Sequence, residues 1–270
     1  MESTNWLRQT PGKPLFEDVL WSRPETVSRA GKLLIIGGNL HGFAAPAAAY
    51  AAALKAGIGS CRVLLPDSTK RMLGKGIFEA DFAPSTPSGS FARSALGQVI
   101  ENSQWADGVL LAGDLGRNSE TAVMLDSFSS KYKGQLTLSH DTVGYFLSST
   151  NHVPAREKTS LVINLGKLQK LATNNRPSTP VLHNMSLFEL VSVLSDWTNS
   201  VAASFITRHA DNLVVAHKGA VSTTPYKEDI KWQVELASYT SVWWLQQPER
   251  TFEALTCGAY DYQNAALARV

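Results

Sequence analysis

Four short segments hold the residues best suited to chemistry: GGNLHG at 37–42, AGDLGR at 112–117, SHD at 139–141 and HKGA at 217–220. Gly37, Gly38 and Gly42 let the backbone come close to a ligand. The helix expected after them offers free N–H groups and the positive end of its dipole, so this turn is expected to bind an anion. His41 in the same turn can donate to a ligand. Gly113 and Gly116 flank Asp114 before another helix, a pattern that suits amides facing a phosphate or a ribose, or else a tight turn with a solvated carboxylate. Lys218, followed by Gly219, puts a cation at a strand end, either beside phosphate oxygens or in solvent. Asp141 can orient a hydroxyl, hold a metal through water, or cap a helix. GGNLHG is not the GxGxxG of a dinucleotide fold, and CRVLLP stands where that fold needs an acidic residue. His140, His152, His183 and His209 share no spacing that suggests a metal site.

Alternating strands and helices must position these segments. The apolar run 33–36 is short, partly β-branched and unalternated, as in a parallel strand covered on both faces. A small-sided helix over 43–56 follows, stopped by Gly57. Further strands are expected at 61–65, 107–112, 135–139, 160–164 and 212–216, with VSTTP β-like after the last. Helices are expected at 90–103, 119–132, 186–196, 198–209, 239–246 and 248–267, and short ones after Asp67 and Asp141. Residues 78–89 read as a surface excursion carrying one edge strand. This alternation implies right-handed crossovers and a mostly parallel sheet with helices on both faces, whose ligands collect at the carboxyl ends of the strands.

The 270 residues read as one domain, with 1–30 as an N-terminal extension packing on it. Hydrophobic residues at 44% against 18% charged give enough apolar surface for a substantial core. A net charge of +2 with scattered lysines and arginines forms no basic stripe for nucleic acid, and no apolar run approaches the roughly 18 residues of a membrane span. The start of the chain lacks the order of a signal peptide, so a cytoplasmic location is expected. Cys61 and Cys257 read as small core hydrophobes. A small-molecule partner remains.

In this order the loops resemble those of the ribokinase-like ADP/ATP-dependent NAD(P)H-hydrate dehydratases, the group also met as the carboxy-terminal domain of nicotinamide-nucleotide repair proteins and labelled as carbohydrate kinases. KAGIG at 55–59 matches the family's AGAG-like turn, and ADGVLLAGDLGR at 106–117 matches ADAVVIGPGLGR, with Asp114 in place of a small residue or proline. LTLSHD at 136–141 stands for VLDAD and keeps its second Asp; VVAHKGA at 214–220 stands for VVLKGA; 248–266 stands for the helix after it. The resemblance implies a three-layer αβα sandwich and a homodimer or tetramer. It also implies a reaction in which ADP or ATP, with magnesium, phosphorylates the hydroxyl of hydrated NADH or NADPH before phosphate is eliminated. By position, Gly37, Gly38, Asn39 and Gly42 fall near the hydrated nicotinamide nucleotide, and Gly113, Asp114, Gly116 and Arg117 line the substrate cleft. Lys218 and Gly219 fall at the ADP phosphates, with Asp141 between the two groups.

Two departures bear on activity. INLGKLQK at 163–170 replaces TPHPGE and lacks its His and Glu. The family's GTGD turn, an anion hole at a helix N-terminus that also supplies the catalytic Asp, is expected within 237–245, where the chain reads ASYTSVWWL. Tyr239, Thr240 and Ser241 then meet the nucleotide with side chains in place of open amides, with Ser241 at the Asp position and Glu235 the only nearby carboxylate. Trp243 and Trp244 either stack on adenine or belong to the core. Loss of a positioned base costs about 10²- to 10⁴-fold, and loss of an anion hole about as much again. The expectation is a degenerate homologue that binds a nucleotide or dinucleotide with weak or no turnover. An active dehydratase with altered residues and a carbohydrate-type small-molecule kinase are the alternatives.

Overall fold

Lys32–Gly37 (β2) is apolar at successive positions because both of its faces are covered. Leu34 and Ile36 enter one core with Leu64, Val109, Leu111 and Leu138, while Leu33 and Ile35 join Val63, Leu65, Leu110 and Ala112 in a second. The computed structural model, which describes residues 5–73, 80–147, 153–226 and 232–268, arranges ten strands in one sheet. Besides β2 these are β1 (Trp6–Arg8), β3 (Ser60–Pro66), β4 (Ala80–Ala83), β5 (Gly108–Gly113), β6 (Gln135–Ser139), β7 (Thr159–Val162), β8 (Ser204–His209), β9 (Asn212–His217) and β10 (Ala220–Pro225). Their order is β1-β10-β9-β8-β7-β6-β5-β2-β3-β4, and every pairing is parallel except those of β9 with β8 and β10.

Helices cover both faces. On the first core lie α3 (Leu96–Trp105), α4 (Ser119–Lys131), α5 (Thr142–Leu147), α6 (Leu165–Asn175) and α7 (Leu187–Thr198). On the second lie α2 (Ala44–Lys55), α8 (Trp232–Gln246) and α9 (Thr251–Leu267). This is a three-layer αβα sandwich. The short α1 (Glu17–Trp21) places Val19 against Trp243 and Cys257, and β1 is pinned to β10 by the Trp6 indole N–H donating to Thr223 Oγ1. Burial pushes the Cys61 and Cys257 thiols up to about 12, as for inert packed sulfur. Among the described residues no helix is long and apolar enough to cross a membrane.

The structure corrects the sequence reading in several places. The expected helix over 198–209 is absent: α7 ends at Thr198 and SFITRH forms β8, with Phe205 and Ile206 buried in opposite cores. This extra strand reverses the direction of β9. Helix α8 starts at Trp232, seven residues before the expected 239, and the helix expected from 90 becomes regular at Leu96. Asp67 does not cap its short turn; its carboxylate accepts from the Ser85 N–H and hydroxyl. Residues 1–4 of the extension, 78–79 of the excursion and His152 lie outside the described residues.

Helices α8 and α9 touch closely at Gly258, where an added β-carbon would sit 2.8 Å from the α-carbon of Thr240. Gly258→Ala is therefore expected to lower stability by about 1–3 kcal/mol through overpacking. Urea unfolding should show a lower midpoint at unchanged slope; an unmoved midpoint would mean that the helices do not meet there.

Candidate functional site at the carboxyl edge of the sheet

The chain leaves β2 in one direction toward β3 and β4, and from β5 continues in the other through β6, β7 and β8. Such a reversal opens a crevice between the carboxyl ends of the two strands, the usual ligand site of an open α/β sheet. Gly37 and Gly113 meet there. A β-carbon on Gly37 would collide with the Gly113 carbonyl oxygen, and Gly38, at φ +86°, donates its N–H to that oxygen at 2.9 Å. Gly37, Gly38, Asn39, Gly42, Gly113, Asp114, Gly116 and Asp141 are thus gathered at one edge, as the sequence implied.

The amides of the glycine turn are not open, however. The N–H of Asn39 donates to the Gly42 carbonyl, that of Gly42 to the Asn39 carbonyl, that of Leu40 to the Gly89 carbonyl and that of His41 to Asn39 Oδ1. In the first turn of α2, Pro46 has no N–H and the Ala47 N–H already serves the Phe43 carbonyl. The Ala45 N–H donates to Asp114 Oδ2 at 2.7 Å. Asp114 stands at φ +57°, a left-handed conformation that a short polar side chain tolerates, and is held twice more. Its N–H donates to Asp141 Oδ1 at 2.9 Å, and its carbonyl accepts from the Asn39 side-chain amide. The expected phosphate cradle is occupied by the protein itself.

An open cleft lies one step along the edge. Gly116, Arg117, Asn118, Asp141, Gly144, Tyr145 and Lys167 line about 460 Å³. Asn164 caps α6 by accepting from the Lys167 N–H, which fixes that lysine in the first turn, and Lys167 Nζ donates to the His140 carbonyl. The Tyr145 hydroxyl donates to the Gly116 carbonyl at 2.6 Å, and burial pushes it up. His140 Nδ1 lies 3.1 Å from Asp141 Oδ1. That hydrogen bond, with the charges of Asp141 and Asp114, raises His140 against the opposing effect of burial. Burial pushes Asp141 up, but the His140 bond and charge, the Asp114 N–H and Lys167 together hold it below its ordinary value. Lys167 is lowered by burial. Side-chain exposures of 48% for His140 and 37% for Asp141 mean that solvent screens this pair. Two cations, one carboxylate and a phenol suit an anionic, hydrogen-bonding ligand.

Other expected site residues lie elsewhere. Because β9 runs backwards, Lys218 stands at the amino edge of the sheet, lining a separate cleft of about 570 Å³ with Gln135, Thr159 and Ser204. Gly219 is buried there, its N–H held by Thr198 Oγ1 and its carbonyl by the Ser195 hydroxyl. Neither residue reaches the carboxyl edge. Tyr239, Thr240 and Ser241 are 1%, 0% and 3% exposed in the middle of α8. Thr240 Oγ1 donates to the Leu236 carbonyl and Ser241 Oγ to Thr137 Oγ1, so these side chains serve the core and not a nucleotide. Trp243 and Trp244 are buried too, their indole N–H groups donating to Asp261 and Thr251. The carboxyl-edge end of α8 is its N-terminus, where Gln233 Nε2 donates to the Val162 carbonyl and Glu235 sits in the first turn. No glycine occurs between Gly219 and Gly258. Among the described residues no three His, Cys, Asp or Glu side chains are grouped to hold a metal ion. Sequence reasoning missed Lys167, Asn118 and Tyr145; a lysine in the helical turn directly after a buried strand was the usable signal for the first.

A central, mostly parallel sheet between two helical layers is common to several α/β folds, and the solved structures that this chain matches are ribokinase-like. A ribokinase-like superfamily protein from Enterococcus faecalis matches over 100% of this chain and 91% of its own, at a TM-score of 0.74 and 15% identity. The ADP/ATP-dependent NAD(P)H-hydrate dehydratase of Bacillus subtilis, co-crystallised with ATP and Mg²⁺, matches over 96% and 90%, at a TM-score of 0.66 and 12% identity. A pyrophosphate-dependent kinase of the ribokinase family, complexed with a pyrophosphate analogue and myo-inositol, matches over 84% and 94%, at 0.51 and 8%. No family model matches the sequence, and no curated protein sequence does. At such identities the likeness establishes the fold alone.

Asp141→Asn removes the carboxylate bond and charge of Asp141 that raise His140, leaving only the charge of Asp114 against the burial and Lys167 that lower it, so the His140 midpoint should fall in an NMR titration. Because the folded-state midpoint is raised, the stability it contributes is full below the unfolded value of about 6.5 and is lost as pH rises through the folded one. The variant should flatten that decline. A midpoint that does not move would show that the pair is not formed.

Proposed function

We propose that the protein is a divergent, degenerate homologue of the ADP/ATP-dependent NAD(P)H-hydrate dehydratases that binds a nucleotide or dinucleotide at the carboxyl-edge cleft with weak or no turnover. The observation that carries this reading is the continuous, glycine-free α8. Phosphoryl transfer needs open amides at a helix N-terminus and a base beside them. The stretch 220–257, which leads into and contains α8, has no glycine to open such amides, and 239–241, expected to supply both, stand in the buried middle of that helix. Binding needs less: Arg117 and Lys167 at the rim of a polar cleft offer charge-assisted hydrogen bonds, each worth about 1.5–3 kcal/mol. One observation favours the active alternative. Glu235 stands in the first turn of α8 at the carboxyl edge, where a substitute base would have to be. A carbohydrate-type kinase requires the same lost cradle.

With ADP or ATP, hydrated NADH should show no recovery of absorbance beyond the spontaneous rate, while ADP or a nicotinamide dinucleotide raises the melting temperature. Lys167→Ala should weaken that binding about tenfold. Turnover that disappears in Glu235→Gln would replace this reading with the active alternative, and a melting temperature indifferent to every nucleotide would remove the binding function.

A further inference from the structure

We infer that Asp114 is a specificity-determining residue: its carboxylate takes the anion position at the N-terminus of α2, so the switch-point crevice rejects a phosphoryl group and an anionic ligand lies with its charge at the Arg117 and Lys167 end of the cleft. This rests on the reading of that cleft as the ligand site. Three observations support the assignment. Asp114 Oδ2 receives the Ala45 N–H at 2.7 Å, and with Pro46 lacking a donor and Ala47 already bonded, at most the Ala44 N–H is left to a ligand in that turn. The backbone beneath the carboxylate is held in place, its N–H by Asp141 and its carbonyl by Asn39, so the side chain is presented to α2 from a fixed position. The neighbouring amides of the glycine turn are turned inward on each other or on Gly89 and Asn39 Oδ1. A phosphate brought here would lose the helix amide to Asp114 and meet a like charge. At the other end of the cleft, Lys167 Nζ rests on a neutral carbonyl and Arg117 is exposed, so both meet an anion without a carboxylate as hydrogen-bonded rival.

Inorganic phosphate is the probe, titrated calorimetrically into the full chain as wild type, Lys167→Ala, and Lys167→Ala combined with Asp114→Gly. Glycine accepts the left-handed backbone and frees the Ala45 N–H. The single variant should bind phosphate at least tenfold more weakly than wild type, and the double variant should regain roughly tenfold, the scale of a helix N-terminus acting on an anion. A double variant that binds no more tightly than Lys167→Ala overturns the inference. Should the glycine variant lose its fold by circular dichroism, Lys167→Ala with Asp114→Asn answers instead. Asparagine keeps the backbone and the acceptor but not the charge, so tighter phosphate binding supports the inference and unchanged binding overturns it. If wild type binds neither phosphate nor nucleotide while the double variant gains phosphate, the nucleotide-binding function falls and the role of Asp114 stands.

Discussion

The close approach of Gly37 to the carbonyl of Gly113 sets where every other group at the carboxyl edge can stand. With no side chain between them, β2 and β5 run together to their ends, and the Gly38 N–H closes the join. Gly113 in turn has to lack a β-carbon, which would lie 2.6 Å from Asp141 Oδ1, so Asp141 can reach the Asp114 N–H. Asp114 is thereby presented to α2. Each neutral link contributes about 1 kcal/mol, and those to carboxylates somewhat more. Their larger effect is geometric, for they draw the exits of three strands into one network and displace the open space toward α5 and α6. The cleft beside Tyr145 and Lys167 exists where it does because the crevice between β2 and β5 is closed.

Helix α8 shows how polar residues mislead when a helix is buried all round. Tyr239, Thr240 and Ser241 resemble ligand-binding residues in sequence, yet hydroxyls can return a hydrogen bond to the carbonyl four residues earlier or to a neighbouring strand. Ser238 and Thr240 do the first and Ser241 the second. Once so satisfied, they cost little to bury. The helix then needs no polar face, and its N-terminus, not its middle, is the end that meets the ligand edge.

What was legible in the sequence was local. The unalternated run of β2, the glycine turn and the small-sided α2 form one unit whose parts each have a short-range cause, and the loops at 37–42, 112–117 and 139–141 follow from strands recognised the same way. The misplaced residues failed for a global reason. SFITRH carries a strand's β-branched content but follows a helix closely, so it reads as part of a second helix over 198–209, and one uncounted strand sends Lys218 to the opposite edge. Hydrogen-bond partners across loops were equally hidden. GGNLHG announces open amides by composition, and only the tertiary positions of Gly89, Gly113 and Asp114 show that these amides are consumed.

The difference between binding and transferring a phosphoryl group is a difference in preorganisation. A ligand anion can be met by Lys167 and Arg117 with modest local adjustment, because Lys167 rests on a carbonyl that a ligand oxygen can replace and because burial leaves its charge poorly solvated. Transfer requires donors already aimed at charge that appears only in the transition state, with no reorganisation left to make. At this edge the amides that would be so aimed serve the fold instead, and the first turn of α8 offers a carboxylate without a glycine beside it. On the proposed reading, the hydrogen bonds that consume the amides of the glycine turn are the same ones that leave this edge without donors aimed at a transferred phosphoryl group.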